Sequence, residues 1–243
     1  MKKYYFLFFL LLNVSILLAQ TKQKVTSWGA LTTSYKINDN FSVQLNTQVR
    51  GTDRLKGTPL YLIRPMLNYK MDNITVGYAF TENYKTVSEI SGWLPEHRAW
   101  EQYVLSQKIS FLNRKTALTH RFRLEERFVA TGIVDGERLK KDSFEFALRF
   151  RYHIRTMIPF LQKEKFTSGA YVALQNELFV NAMKSDKVTN GKVVDQNRAY
   201  VALGWRFSPK FDLEAGYMNQ YSVGKTASDV SNNIVHLAGT IRL

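Results

Sequence analysis

Residues 144–155 read FEFALRFRYHIR. Phe144, Phe146, Leu148, Phe150, Tyr152 and Ile154 alternate without a break against Glu145, Ala147, Arg149, Arg151, His153 and Arg155. Successive side chains of a strand point to opposite faces, so this is a strand with one greasy and one basic face. Much of the chain repeats the pattern. A wall of such strands either buries the greasy face and wets the charges, or does the reverse, and that choice decides the class of protein.

Working outward, residues 25–37 and 41–49 read as strands joined across Asn38-Asp39-Asn40, and 60–70 and 74–80 as a pair across Met71-Asp72-Asn73. Pro65 falls inside the third strand, where a missing donor signals a bulge or a break in pairing. Residues 100–111 and 116–128 form a further hairpin across Leu112-Asn113-Arg114. Then come 144–155 and 170–181, followed by 198–207 and 211–221 around Ser208-Pro209-Lys210, and finally 233–243. The connections sort by length: those around 38–40, 71–73, 112–115 and 208–210 are short, whereas 51–58, 82–97, 130–142, 182–196 and 222–232 are long. Short periplasmic turns facing longer outer loops are the habit of transmembrane barrels. The count is eleven strands against the even number expected of bacterial single-chain barrels, and 82–97 is the place to look for extra structure.

At the front, Lys2 and Lys3 precede an apolar run from Phe6 to Leu18, and Ala19 offers a processing site. This is the form of a secretory signal peptide. The run is too short for a comfortable spanning helix, and no later segment reaches the roughly 20 apolar residues that one needs. The expected organisation is a signal over 1–19 and a single barrel domain over 20–243. Lys and Arg total 34 against 20 Asp and Glu, a formal charge of +14. Such an excess ordinarily points to nucleic acid or an anionic surface, and export removes nucleic acid from the choice. There is no cysteine, so neither disulfides nor a lipidated cysteine holds the chain.

These features favour the inside-out arrangement, against a soluble lipocalin-like barrel that would turn the aromatics inward. Tyr61, Tyr69, Tyr78, Phe111, Phe128, Trp205, Phe207 and Tyr217 are placed as an interfacial girdle. The fold class is all-β: an antiparallel transmembrane β-barrel of roughly 10–12 strands. Its interior then receives Arg121, Arg123, Glu125 and Arg127 from one strand and Glu145, Arg149, Arg151, His153 and Arg155 from the next. Glu177, Arg198, Arg206, Glu214 and Gln220 join them from later strands. Charges buried this way must pair or meet water, and the surplus of arginine calls for lumenal water or a bound small anion.

Five stretches carry a family resemblance: residues 94–102 (LPEHRAWEQ), 120–128 (HRFRLEERF), 175–181 (QNELFVN), 195–200 (DQNRAY) and 213–220 (LEAGYMNQ). With them the chain resembles, over about residues 25–243, the domain-of-unknown-function family numbered twenty-four ninety. That resemblance implies an outer-membrane barrel of Bacteroidetes-type bacteria and brings no substrate or catalytic residue.

Chemistry is sparse. His97, His120, His153 and His236 are the only histidines, and none sits in a nucleophile motif such as Gly-x-Ser-x-Gly. Glu96-His97 lacks the spacing of a metal-ligand set. No cofactor, metal or catalytic residue is assigned. Residues 93–102 read equally as an ordered loop over the mouth, with Glu96, Arg98 and Glu101 in ion pairs, and as an ordinary solvated loop. Asp195-Gln196-Asn197-Arg198 with Asn176-Glu177 reads first as interstrand bonding that fixes register, and second as a ligand site. Lys184, Lys187 and Lys192, with Arg138, Lys140 and Lys141, make two outer loops basic towards lipopolysaccharide. The expected function is a small pore, binding or structural protein of the outer membrane, in contact with its lipid and lipopolysaccharide. The alternative is an outer-membrane enzyme acting on lipid or lipopolysaccharide.

Overall fold

The computed structural model describes residues 21–51, 60–70, 73–111, 114–161, 166–183, 185, 187–225 and 228–243. The signal segment, most of the 51–58 connection, Lys184 and the side chain of Phe111 fall outside them. Eleven strands close into one barrel. They are β1 (Lys22–Lys36), β2 (Phe41–Arg50), β3 (Leu60–Tyr69), β4 (Ile74–Val87), β5 (Ile90–Phe111), β6 (Arg114–Asp135), β7 (Arg138–Pro159), β8 (Gly169–Asn181), β9 (Val194–Ser208), β10 (Phe211–Ser222) and β11 (Val230–Arg242). Every sequential pair is antiparallel, and an odd number of alternating strands leaves the first and last running the same way. The seam between β1 and β11 is therefore parallel, with Trp28 opposite His236. This departs from the wholly antiparallel wall expected, and it resolves the odd count without a missing strand.

Two expected loops are strands. Residues 82–97 and 130–142 extend β4 to β7 into tall hairpins capped by two-residue turns. Ser88 and Glu89 both take positive φ, 47° and 69°, which is the type I′ geometry a two-residue hairpin favours. In the second turn Gly136 supplies the positive φ at 60°, the first-position glycine of a type II′ turn. Residues 93–102 accordingly belong to β5 and do not form a separate mouth loop. At Pro65 the pairing with β4 lapses between Ile63↔Phe80 and Met66↔Gly77 and resumes in the same register; the proline interrupts the ladder without making a bulge.

The burial pattern is inside out. Leu203 and Tyr61 are each 63% exposed on the outer wall, and Val43, Ile63, Val76, Phe150, Val201, Trp205, Leu213 and Leu237 stand out beside them. Of the aromatics assigned to a girdle, Tyr61, Tyr78, Phe128, Trp205, Phe207 and Tyr217 are exposed outward. Glu125, by contrast, is 1% exposed inside, with Arg123, Arg149, Arg151 and Glu177 also buried. On β8 to β11 the outer face turns polar towards the long-loop end. Asn176 and Asn197 exchange amide bonds of 3.1 Å in both directions, and Asn219 donates to Asn233 at 3.2 Å.

Bulky residues fill the lumen on one side. Trp28, Tyr171, Ala173, Tyr200, Ala202, Met218 and Ile234 make a packed cluster across β8 to β11 and β1. Glycine makes room for it: a Cβ on Gly204 would lie 2.2 Å from Cζ of Tyr171, so the phenol can rest flat against β9.

Candidate functional site

The lumen-facing rows of β6 to β9 build one continuous ion-pair network. Alternation sets the side, and hydrogen-bond register sets the neighbours: Glu125 stands opposite Arg149, Arg123 opposite Arg151, and His153 opposite Glu177. Glu125 Oε2 accepts from Arg149 Nε at 2.9 Å and Nη2 at 2.6 Å, and its Oε1 accepts from Arg151 Nη1. Arg151 turns its other edge to Glu177 Oε1, donating from Nε at 3.1 Å and Nη2 at 2.6 Å. The same oxygen accepts from Arg121 Nη2 at 2.7 Å, while Arg198 Nη1 lies 3.8 Å from Oε2. Phe179 forms a shared floor, with the guanidinium carbons of Arg149, Arg151 and Arg198 at 5.1, 4.4 and 4.7 Å from its ring centre. Each fork converges on one carboxylate oxygen, and such charge-assisted bonds are roughly twice as strong as neutral ones.

Smaller clusters flank the network. Glu96 Oε1 accepts from the Nε atoms of Arg98 and Arg127, each at 2.6 Å, and its Oε2 takes Asn83 Nδ2 at 2.8 Å. Lower down, Glu214 accepts from Arg155 and from the Tyr171 hydroxyl at 3.0 Å. Asp212 bridges Arg206 at 2.7 Å and Arg242 at 2.6 Å. Arg123 donates to Gln102 Oε1 at 2.7 Å and lies 3.7 Å over the Trp100 ring. Gln220 accepts from Arg198 Nε at 3.1 Å.

Of the residues expected inside, Arg121, Arg123, Glu125, Arg127, Arg149, Arg151, His153, Arg155, Glu177, Arg198, Arg206, Glu214 and Gln220 all face the lumen. Glu145 shares that face but stands near the rim, where it meets Lys187 at 2.6 Å instead of joining the network. That contact raises the Lys187 pKa above its ordinary value. Asp195 reaches inward to Arg149 Nη1 at 2.9 Å, because the register shifts between Phe179 and Val180 on the neighbouring strand. Of the mouth-loop trio, Glu96 and Arg98 do pair, but inside the barrel; Glu101 points outward and has no ion pair among the described residues. The Asn176–Asn197 exchange lies on the outer wall and serves register. His97 and His120 lie on the outer wall too, bonded to Tyr78 and Tyr152.

Sequence reading passed over Arg50 and Arg64. Both face the lumen, on β2 and β3, where Gln44, Asn46, Gln48 and Arg50 alternate with Val43, Leu45, Thr47 and Val49. Arg50 donates to Gln48 Oε1 at 3.1 and 2.7 Å and lies 4.1 Å over Trp28. Arg64 donates to Asn46 Oδ1 at 3.2 and 2.6 Å. Neither has an ion pair among the described residues. Among the described residues of the upper lumen, Arg50, Arg64, Arg98, Arg121, Arg123, Arg127, Arg149, Arg151 and Arg198 therefore face only Glu96, Glu125, Glu177 and Asp195. Arginine keeps its charge at any ordinary pH, so this part of the lumen is strongly positive.

Compared with known proteins, residues 25–231 match the family described as Protein of unknown function (DUF2490). No curated protein and no solved structure matches.

Proposed function

Because the chain belongs to that family, whose description carries no activity, we propose from its own geometry that it is an exported outer-membrane β-barrel acting as a binding or structural protein. One observation carries this reading: apolar side chains cover the outside and ion-paired arginines fill the inside. In water that arrangement would expose a large apolar wall, which monomeric soluble proteins avoid; in lipid it is the ordinary one. The height of the wall agrees. From Val235 to Leu243 the outer face at β11 carries Val235, Leu237, Gly239, Ile241 and Leu243. At ~3.3 Å per residue and a tilt of ~40°, that span is roughly 20 Å, close to the ~25 Å apolar band of such barrels.

The middle of the lumen favours binding or bracing over conduction. Trp100, Arg123, Glu125, Arg151, Glu177, Phe179, Tyr200 and Met218 are each at 5% exposure or less, and side chains lining a water-filled channel would be wet. Membrane fractionation combined with planar-bilayer recording tests the proposal. The protein should partition with the outer membrane and give no steady conductance steps. Recovery as a soluble periplasmic protein without detergent would overturn the barrel orientation, and discrete conductance would restore the pore.

A further inference from the structure

Charge balance in the upper lumen is unfinished on the β2–β3 side. Arg50 and Arg64 each spend Nε and Nη2 on a single carboxamide oxygen. Among the described residues their Nη1 atoms have no partner. Arg98 reaches Glu96 through Nε alone, so among the described residues its two terminal nitrogens have no partner either. The charges acting most strongly on Arg50 are those of Arg198, Arg64, Arg98 and Arg151, all cations. A guanidinium does not relieve such crowding by shedding its proton. Half-buried like charges of this kind call for a counter-ion.

The architecture sets two of these arginines in one row. Ala79 stands opposite Arg98, and Ile63 opposite Phe80 sets Arg64 beside Ala79 on the other flank. Two guanidinium-bearing strands thus bracket a strand whose methyl group is covered, at 1% exposure, about 10 Å apart at two strand spacings, while Arg98 keeps 15% of its side chain open. Trp28 steadies the rim, with Arg50 at 4.1 Å and Arg198 at 5.2 Å from its ring centre.

We infer that Arg50, Arg64 and Arg98 cradle an oxyanion of the phosphate class, a reading that rests on the proposed barrel with its basic end turned outward. Phosphate fits better than carboxylate because it brings up to two charges and at least three acceptor oxygens to several forks, where a carboxylate is satisfied by one. The phosphate comes either from a small solute or from a lipid headgroup at the outer surface, such as that of lipopolysaccharide.

The test uses the full mature chain, delipidated and folded in detergent, titrated calorimetrically with inorganic phosphate and separately mixed with vesicles containing lipopolysaccharide. The parent should bind phosphate with an affinity that falls at least tenfold in R50Q/R64Q. In R50K/R64K, which keeps both charges and guards against a folding artefact, binding should be weakened less. Lys140→Gln, on the exposed β6–β7 hairpin, should match the parent. Binding of the vesicles alone, again lost in R50Q/R64Q, assigns the phosphate to a lipid headgroup and sustains the site. No binding of either probe, or equal binding by parent and R50Q/R64Q, overturns it. A chain that keeps its β circular dichroism and inserts into vesicles while failing to bind leaves the proposed barrel standing; one that stays soluble without detergent sinks the barrel itself.

Discussion

Arg151 and Arg50 are the same residue type facing the same lumen, and their surroundings are opposite. Arg151 lies between Glu125 and Glu177, with donors on both. Arg50 lies on an indole beside a glutamine, and among the described residues it has no carboxylate. The difference follows from which residues interleave. On β6 to β9 Glu125 falls opposite Arg149 and Glu177 opposite Arg198, whereas β2 and β3 bring only Asn46 and Gln48. Arginine in the first setting is part of the structure, and in the second it is available.

The largest expected effect comes from breaking the paired side. Glu125→Gln leaves Arg149 and Arg151 without their shared carboxylate in a buried site, which should cost about 3–5 kcal/mol. Urea unfolding in detergent or lipid vesicles measures it; a cost near zero would mean that the network is hydrated and the lumen open.

A second test separates the inner and outer faces. Leu203 stands near the middle of β9 and outward, so Leu203→Arg should cost about 2–4 kcal/mol at the bilayer midplane. Leu148 lies by the top of β8, where its carbonyl takes the N–H of Ala182 at 2.9 Å, and Leu148→Arg should cost only about 0–1 kcal/mol near the interface. Equal costs at the two sites, read from the same unfolding curves, would argue that no lipid depth distinguishes them.

How much of this was legible depends on what each face touches. Residues 144–155 declare themselves because their outer side is uniformly apolar while the inner side is charged. The tips of β4 and β5 hide their period: Glu82, Thr86, Ser88 and Glu89 stand beyond the apolar band, where both faces meet water and nothing enforces alternation. Asp195 reads as outward by parity and turns inward through a register shift that its own residues do not announce. The alternation of Gln44, Asn46, Gln48 and Arg50 was visible, but the crowding that makes Arg50 unusual comes from strands across the barrel. The ion pairs of Glu125 and Glu177 could be expected as a class from the interleaved acids, while their individual partners required the register.

The smallest effect belongs to the unpaired side. Arg50→Gln removes a stack and one forked hydrogen bond and orphans no carboxylate, so the expected loss is about 1 kcal/mol or less. Unfolding in phosphate-free buffer checks it, and a loss as large as that of Glu125→Gln would show that the two sides of the lumen are equivalent after all.

The central claim, an apolar wall in lipid around a closed polar interior, can be read from the protein's own tryptophans. Trp205 is 52% exposed on the outer wall, whereas Trp28 and Trp100 are 8% and 2% exposed inside. Single-tryptophan variants, with the others replaced by phenylalanine, would be reconstituted into vesicles carrying brominated acyl chains. The account predicts strong quenching of Trp205 by the brominated lipid and little of Trp28 or Trp100, with all three shielded from aqueous iodide. Quenching of Trp205 by iodide and not by the lipid would contradict it.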